Sequence, residues 1–229
     1  MEIDKQKWIK ALNQPNWYEL LLPEFNKLED FASKESDYTK RKAIINQAYQ
    51  IVEDALNNHS IRLAEKGVDF DNERLPVDTV VIHHTSNLPG MRLQRLNAIQ
   101  LLRIYSRKYY KDITTRGLPV WSGHFYHGRQ VFWGYHWFIK NDGSTVKLLD
   151  DTAIGWHSGD WNINRRSIGI CFDDDLSNKE PNPEAIFAVN EILGNYNNFK
   201  LIGHKDVNKG TSCPGNLFDS NWKSKLTTS

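Results

Sequence analysis

The stretch DTVVIHHT, residues 78–85, marks a change in the texture of the chain. Thr79, Val80, Val81 and Ile82 form a β-branched run of strand length, and two histidines follow it directly. Such side chains suit the pleated, half-buried surface of a sheet, so the run predicts a buried strand. Downstream, VFWGYHWFIK (131–140) and STVKLL (144–149) are joined by NDG, a hairpin signal. SIGICF (167–172) and FKLIGH (199–204) are further short apolar runs that suit buried strands. Residues 95–112 and 183–195 carry helical patterns between them. Strands and helices intermingle, which predicts an α/β layered domain over residues 76–229.

Upstream of the run, residues 1–74 read as helical. Ile9 and Leu12, followed by Pro15, predict a short first helix, and residues 16–31 a second that is interrupted at Pro23. In 37–66, Ala43, Ile44, Ala48, Ile51, Val52, Ala55 and Leu56 recur at helical spacing, with Gly67 where a left-handed cap fits. VDFDNERLP (68–76) is polar, holds a proline and reads as a linker. The expected division is a helical N-terminal extension of unassigned role, residues 1–75, and a sheet-bearing domain, residues 76–229.

Composition narrows the partners. Lysine plus arginine, 29, nearly cancels aspartate plus glutamate, 28, so no net field favours nucleic acid and no nucleic-acid partner is expected. Eight tryptophans and nine tyrosines supply aromatic faces for a core or for a groove that takes sugars or peptides. No run reaches the roughly 18 apolar residues of a membrane span. MEIDKQKWIKALNQPNWYEL, at the start, lacks the parts of a secretory signal, so the expected localisation is cytoplasmic as made, with any access to a cell wall by lysis or non-standard export. Two cysteines cannot build a disulfide framework.

Three short runs hold candidate metal ligands: VVIHHTS (80–86), GWHSGDWN (155–162) and GHKDVNKGTSCPG (203–215). His83 and His204 each end an apolar strand, where an imidazole can point into a cleft at the sheet's edge, and a loop after the second strand can return Cys213 beside His204. Two imidazoles and one thiolate leave a fourth position for water around a tetrahedral Zn²⁺, and their softness favours zinc over magnesium or calcium. Read alone, a histidine on a strand is more often a hydrogen-bonded core residue than a ligand, and a lone buried cysteine is usually a small hydrophobe.

Taken together, VVIHHT, GYHWFI, WHSGDWNINRRSIGI and GHKDV…TSCPG resemble the type-2 N-acetylmuramoyl-L-alanine amidases, a family that includes phage lysozyme-type amidases and peptidoglycan recognition proteins. The resemblance covers residues 76–225 and leaves out the first 75. It implies a central mixed β-sheet flanked by helices, a Zn²⁺ cofactor, and peptidoglycan or a muropeptide as substrate. The implied reaction is hydrolysis of the amide between the lactyl group of N-acetylmuramic acid and the first L-alanine of the stem peptide.

The implied zinc ligands are His83, His204 and Cys213. His83 is taken over His84 because the family's ligand is the first residue after the apolar strand, and strand alternation turns the two to opposite faces. His84 is then expected to pack or to support a ligand. Tyr135 matches the family's catalytic tyrosine and would hydrogen-bond water or the oxyanion. Thr211 stands where amidase-active recognition proteins tend to carry threonine and the phage type carries lysine, so the resemblance leaves two candidates for the second catalytic group: Thr211, donating to the oxyanion, or Lys209, reaching in instead. Cys171 occupies the place of a glutamate base found in some cytosolic recycling amidases, so no carboxylate base is assigned and Cys171 is expected as a core thiol. His157 matches a histidine that lines the family's substrate groove, and Trp156, Trp161 and Asn164 are candidates for sugar stacking and peptide hydrogen bonds.

His124 and His127, three apart with glycines on both sides, read as a loop, and the family does not use them. The stretch from Pro89 to Arg129 is longer than in compact members and is expected to shape the cleft. The competing readings are a peptidoglycan-binding module without catalysis, against which Cys213 speaks, and a zinc amidase with another amide as substrate. No oligomeric state is legible in these patterns.

Overall fold

A computed structural model of the chain describes residues 2–227. Among the described residues seven strands form: β1 Thr79–His84, β2 His124–Tyr126, β3 Arg129–Val131, β4 Trp137–Ile139, β5 Thr145–Lys147, β6 Ser167–Phe172 and β7 Lys200–Gly203. The chain folds as two compact units, Met1–Val68 with Arg92–Phe132, and Asp69–Met91 with Trp133–Ser229. The long segment after Pro89 thus packs largely with the N-terminal helices, a grouping that crosses the division at residue 75.

The first unit is built on α1 (Lys5–Leu12), α2 (Trp17–Ser33), α3 (Tyr38–Asn57), α4 (Leu93–Gln100) and α5 (Ser106–Lys111). Asp4 and Asp37 cap α1 and α3, accepting from the Lys7 and Lys40 amides at 3.0 and 2.9 Å. Pro23 does not interrupt α2. The proline removes only the one bond to the Glu19 carbonyl, and burial of Trp17, Leu21, Leu22, Phe25 and Leu28 holds the helix on both sides of it.

Helix α3 stops nine residues before the expected end at residue 66. His59 adopts a left-handed φ of 54°, its amide bonds to the Leu56 carbonyl, and Ser60 N–H bonds to the Ala55 carbonyl. That pair of bonds is a Schellman cap with histidine in the place expected for glycine. Gly67 serves a different purpose: a Cβ there would stand 2.4 Å from Cδ1 of the Trp121 indole, which donates to the Val68 carbonyl at 3.0 Å.

Two kinds of contact join the inserted segment to the N-terminal helices. Buried Glu53 of α3 accepts from Arg95 Nε at 2.6 Å and pairs with Arg92 at 2.9 Å. Tyr18 of α2 meets the Tyr109 ring edge-on at 5.9 Å and donates to the Leu118 carbonyl at 3.0 Å. Between α4 and α5 one wider turn, Leu101–Tyr105, brings the Ser106 amide onto the Leu101 carbonyl. The loop expected around His124 and His127 is a tight hairpin of β2 and β3, with His127 and Gly128 both at positive φ as a two-residue turn requires.

The second unit holds a five-stranded sheet in the order β5–β4–β6–β1–β7. β4, β6, β1 and β7 run parallel, and β5 closes the edge as the antiparallel arm of the NDG hairpin. The apolar run 131–140 is not one strand: Val131 ends β3, residues 132–135 are irregular, and β4 covers only Trp137–Ile139. β1 and β6 are buried at every position, as central parallel strands must be. On one face Val80, Ile82, Ile168, Ile170 and Phe172 meet α7 (Pro183–Leu193) and the C-terminal turn of Phe218 and Trp222. Each such fully buried side chain contributes on the order of 1.5–3 kcal/mol. The architecture is α/β with a central mixed sheet flanked by helices. No helix of the described residues is long and apolar enough to cross a membrane.

Asp173, directly after β6, is a buried carboxylate held by three donors: the Gly90 amide at 3.0 Å, the Met91 amide at 3.1 Å and Lys140 Nζ at 3.0 Å. It ties the segment after β1 to the sheet.

Gly67→Ala is expected to force Trp121 off its seat and lower stability by about 1–3 kcal/mol, the usual cost of overpacking. Urea unfolding of the full chain reads this directly, and an unchanged midpoint would contradict the close approach.

Candidate active site

The sheet's other face carries the polar cluster. Alternation along β1 sends Val80, Ile82 and His84 to the α7 side and Val81 and His83 to the opposite side. His84 accepts from the Leu176 amide through Nδ1 at 2.9 Å and lies 4.0 Å from Asp175. His83 meets His204, the first residue past β7, with ring centroids 4.7 Å apart. Cys213 returns beside them, its Sγ 3.9 Å from His83 Nδ1 and accepting from the His84 amide at 3.4 Å. Each of His83, His204 and Cys213 offers one ligand atom, and these atoms lie within 4.8 Å of one another.

Hydrogen bonds set which imidazole nitrogens are bare. A carbonyl only accepts, so His204 Nε2, 3.1 Å from the Ser158 carbonyl, carries the proton and leaves Nδ1 with its lone pair. His83 Nε2 lies 2.9 Å from His157 Nδ1, which occupies that nitrogen and leaves His83 Nδ1 facing Cys213. Burial holds His83 and His157 well below the usual imidazole range, His83 further lowered by the His204 charge and His157 by His136. Burial also lowers His204. The imidazoles are therefore neutral, the form that donates to a metal. Burial pushes the Cys213 thiol up to about 12, against the His84 amide and the Lys205 charge. Two neutral imidazoles and a buried sulfur with a backbone donor are a donor set that fits Zn²⁺.

The cysteine loop is shaped by close approach. The Cys213–Pro214 peptide is cis, and a Cβ on Gly203 would meet Pro214 Cδ at 2.8 Å and the Phe218 ring at 3.1 Å. Thr211 accepts from the Cys213 amide at 3.1 Å through its hydroxyl, which keeps its own proton free to donate. Lys209 is exposed and its Nζ lies on the Lys205 carbonyl at 3.3 Å.

Tyr135 places its ring 5.0 Å from that of His83, and a hydrogen bond from it opposes the strong upward push of burial on the Cys171 thiol. Cys171 itself is fully buried and registered against His83. The four residues expected to line a groove are placed as follows. His157 is 4% exposed and sits beneath His83 rather than at a surface. Asn164 is buried behind it, accepting from the Ser158 amide at 2.9 Å and the His157 amide at 3.3 Å. Trp156 is buried against Phe70 and Trp161, with ring centroids at 5.2 and 5.9 Å. Trp161 is half-buried and donates to Glu73 at 2.8 Å.

Sequence reasoning gave no role to His136, Ser158, Ser167 or Gly169. His136 accepts from the Gly169 amide at 3.0 Å and donates to the Ala153 carbonyl at 3.1 Å, and burial takes its pKa down to about 3. The glycine in SIGI was the available signal: a Cβ at Gly169 would stand 2.8 Å from the His157 ring.

The model of the Amidase_2 family, N-acetylmuramoyl-L-alanine amidase, matches residues 73–216, and the chain belongs to that family. The endolysin of Enterobacteria phage K11 is 31% identical over 91 residues, 35% of this chain and 58% of that protein. Peptidoglycan-recognition protein SD of Drosophila melanogaster is 30% identical over 89 residues, 36% of this chain and 46% of that protein. The chain thus spans about half the length of these curated relatives. Among solved structures, N-acetylmuramoyl-L-alanine amidase LysC from Clostridium intestinale URNW is similar at 22% identity with a TM-score of 0.46, over 72% of this chain and 92% of that one.

Gly169→Ala is expected to destabilise the second unit by about 1–3 kcal/mol by driving a methyl into the His157 ring. Thermal unfolding followed by circular dichroism checks it, and an unshifted transition would count against the packing described.

Proposed function

We propose that the chain is a zinc-dependent N-acetylmuramoyl-L-alanine amidase, with His83, His204 and Cys213 holding the metal. The observation that carries this reading is the convergence of the three ligand atoms within 4.8 Å, in a chain of the Amidase_2 family. The substrate is peptidoglycan or a soluble muropeptide, and the bond cut is the amide between the muramyl lactyl group and L-alanine.

An amide resists water, so the site must both prepare the nucleophile and stabilise a tetrahedral oxyanion. When bound, zinc would supply Lewis-acid polarisation and acidification of water. The chain's own groups do the rest. Tyr135, beside His83, exchanges its hydrogen bond to the Cys171 sulfur for one to the developing oxyanion or the attacking water. Thr211, whose hydroxyl oxygen already accepts from the Cys213 amide, has its proton available as a second donor. Ser158 holds His204 in the tautomer with Nδ1 bare. Trp161, with part of its ring exposed, is the candidate for stacking on a sugar, and buried Trp156 supports it from behind. His157 and Asn164 support the site from within.

Metal-loaded protein should release stem peptides with a free L-alanine amino group from peptidoglycan or muropeptides, read by mass spectrometry, and a chelator should stop the release. Tight muropeptide binding with no cleavage by the zinc-loaded chain would replace this reading with a binding module. Cys213→Ala is expected to abolish both zinc retention and cleavage. Tyr135→Phe should keep zinc and slow turnover by about 10²–10³-fold, the range for removing one oxyanion donor.

A further inference from the structure

Beneath His83 runs a continuous buried chain of polar atoms. His83 Nε2 stands 2.9 Å from His157 Nδ1, and His157 Nε2 stands 3.1 Å from Ser167 Oγ. The two imidazoles meet edge to face, with centroids 5.0 Å apart at 87°. His83, His157 and Ser167 are 1%, 4% and 0% exposed, so no bulk water competes for these bonds. The His157 ring cannot slide away. Gly169 lies under it with no room for a methyl, and Asn164 grips the backbone of His157 and Ser158.

We propose that His157 and Ser167 are positioning residues for His83, a relay that fixes its proton on Nε2 and presents Nδ1 bare toward Cys213 and His204. This rests on the reading of those three residues as metal ligands. A neutral imidazole that gives one nitrogen to a metal keeps its proton on the other. That proton, on His83 Nε2, donates to His157 Nδ1. His157 then carries its own proton on Nε2 and donates it to Ser167 Oγ. Each donor in the chain faces one acceptor, and a bond to each ring holds its rotation. The histidine expected in the substrate groove acts instead through the ligand above it.

The test measures zinc affinity of the full chain by competition with a chromophoric chelator, alongside thermal unfolding of the metal-free protein. His157→Phe fills the space but accepts no hydrogen bond, and zinc affinity should fall by about 10–100-fold, the range for loss of a partner behind a ligand. His157→Asn sets an amide oxygen near the Nδ1 position and should recover most of that loss. Ser167→Ala should weaken zinc several-fold, and the Co²⁺-substituted spectrum should shift in His157→Phe but not in His157→Asn. Wild-type affinity in His157→Phe overturns the proposal, and so does equal loss in His157→Asn, which would make the effect one of packing alone. If His157→Phe does not fold, Ser167→Ala decides, and unchanged zinc affinity there overturns the relay. A wild-type chain that binds no zinc overturns the metal reading itself, and this proposal with it, a result distinct from any failure of the variants.

Discussion

Strand β1 lies between β6 and β7 in parallel register, with Ile82 paired to both Ile170 and Gly203. The β1–β7 pairing ends at that point, and the next residue on each side is a histidine, His83 still paired to β6 and His204 just past β7. Neighbouring strands stand about 4.7–4.9 Å apart in a sheet. The His83 and His204 rings, at 4.7 Å, keep that spacing. The backbone ladder thus sets the separation of the two imidazoles, and a rigid sheet holds donor atoms better than a loop would. Crevices at the carboxyl ends of parallel strands are where open α/β sheets place their ligands, and this cluster obeys that rule.

The third member of the cluster depends on absent side chains. Gly203 admits the cis Pro214 and Phe218, and Gly215, at φ 128°, passes within 1.9 Å, by its imagined Cβ, of the Leu176 carbonyl. With these approaches the loop turns sharply enough to bring Cys213 Sγ under the His84 amide. The same economy appears beneath the site, where Gly169 makes room for His157 and Gly155 for His136. Backbone without side chains is what lets four histidine rings crowd onto one face of so small a sheet.

Much of this was legible in the residues. A β-branched run located β1, short apolar runs located β6 and β7, NDG located the β4–β5 hairpin, and the motifs brought forward the residues that converge. What stayed hidden was decided by contacts distant in sequence. Nothing local distinguishes a histidine at a surface from one packed beneath His83, since the place of His157 is set by Gly169 and Ser167 on β6. Gly67 looked like a helix cap because its true neighbour, Trp121, is 54 residues away. The actual cap, His59, is not the glycine that usually fills that position, so it carried no signal. Pro23 misled in the opposite direction, because burial along α2 outweighs one missing bond. Likewise, the inserted segment is joined to the N-terminal helices in part by buried Glu53 and its two arginines, partners that composition cannot reveal.

Asp173 has a bearing on the order of the segment that follows β1. With its side chain sealed from solvent, it gathers the Gly90 and Met91 amides and the Lys140 ammonium around one charge. Releasing that segment would strand a carboxylate and two amides without partners, a cost of several kcal/mol in a dry interior. The backbone that follows His83 is therefore anchored at Gly90 and Met91 by the fold itself, so its order at that point is built in rather than acquired.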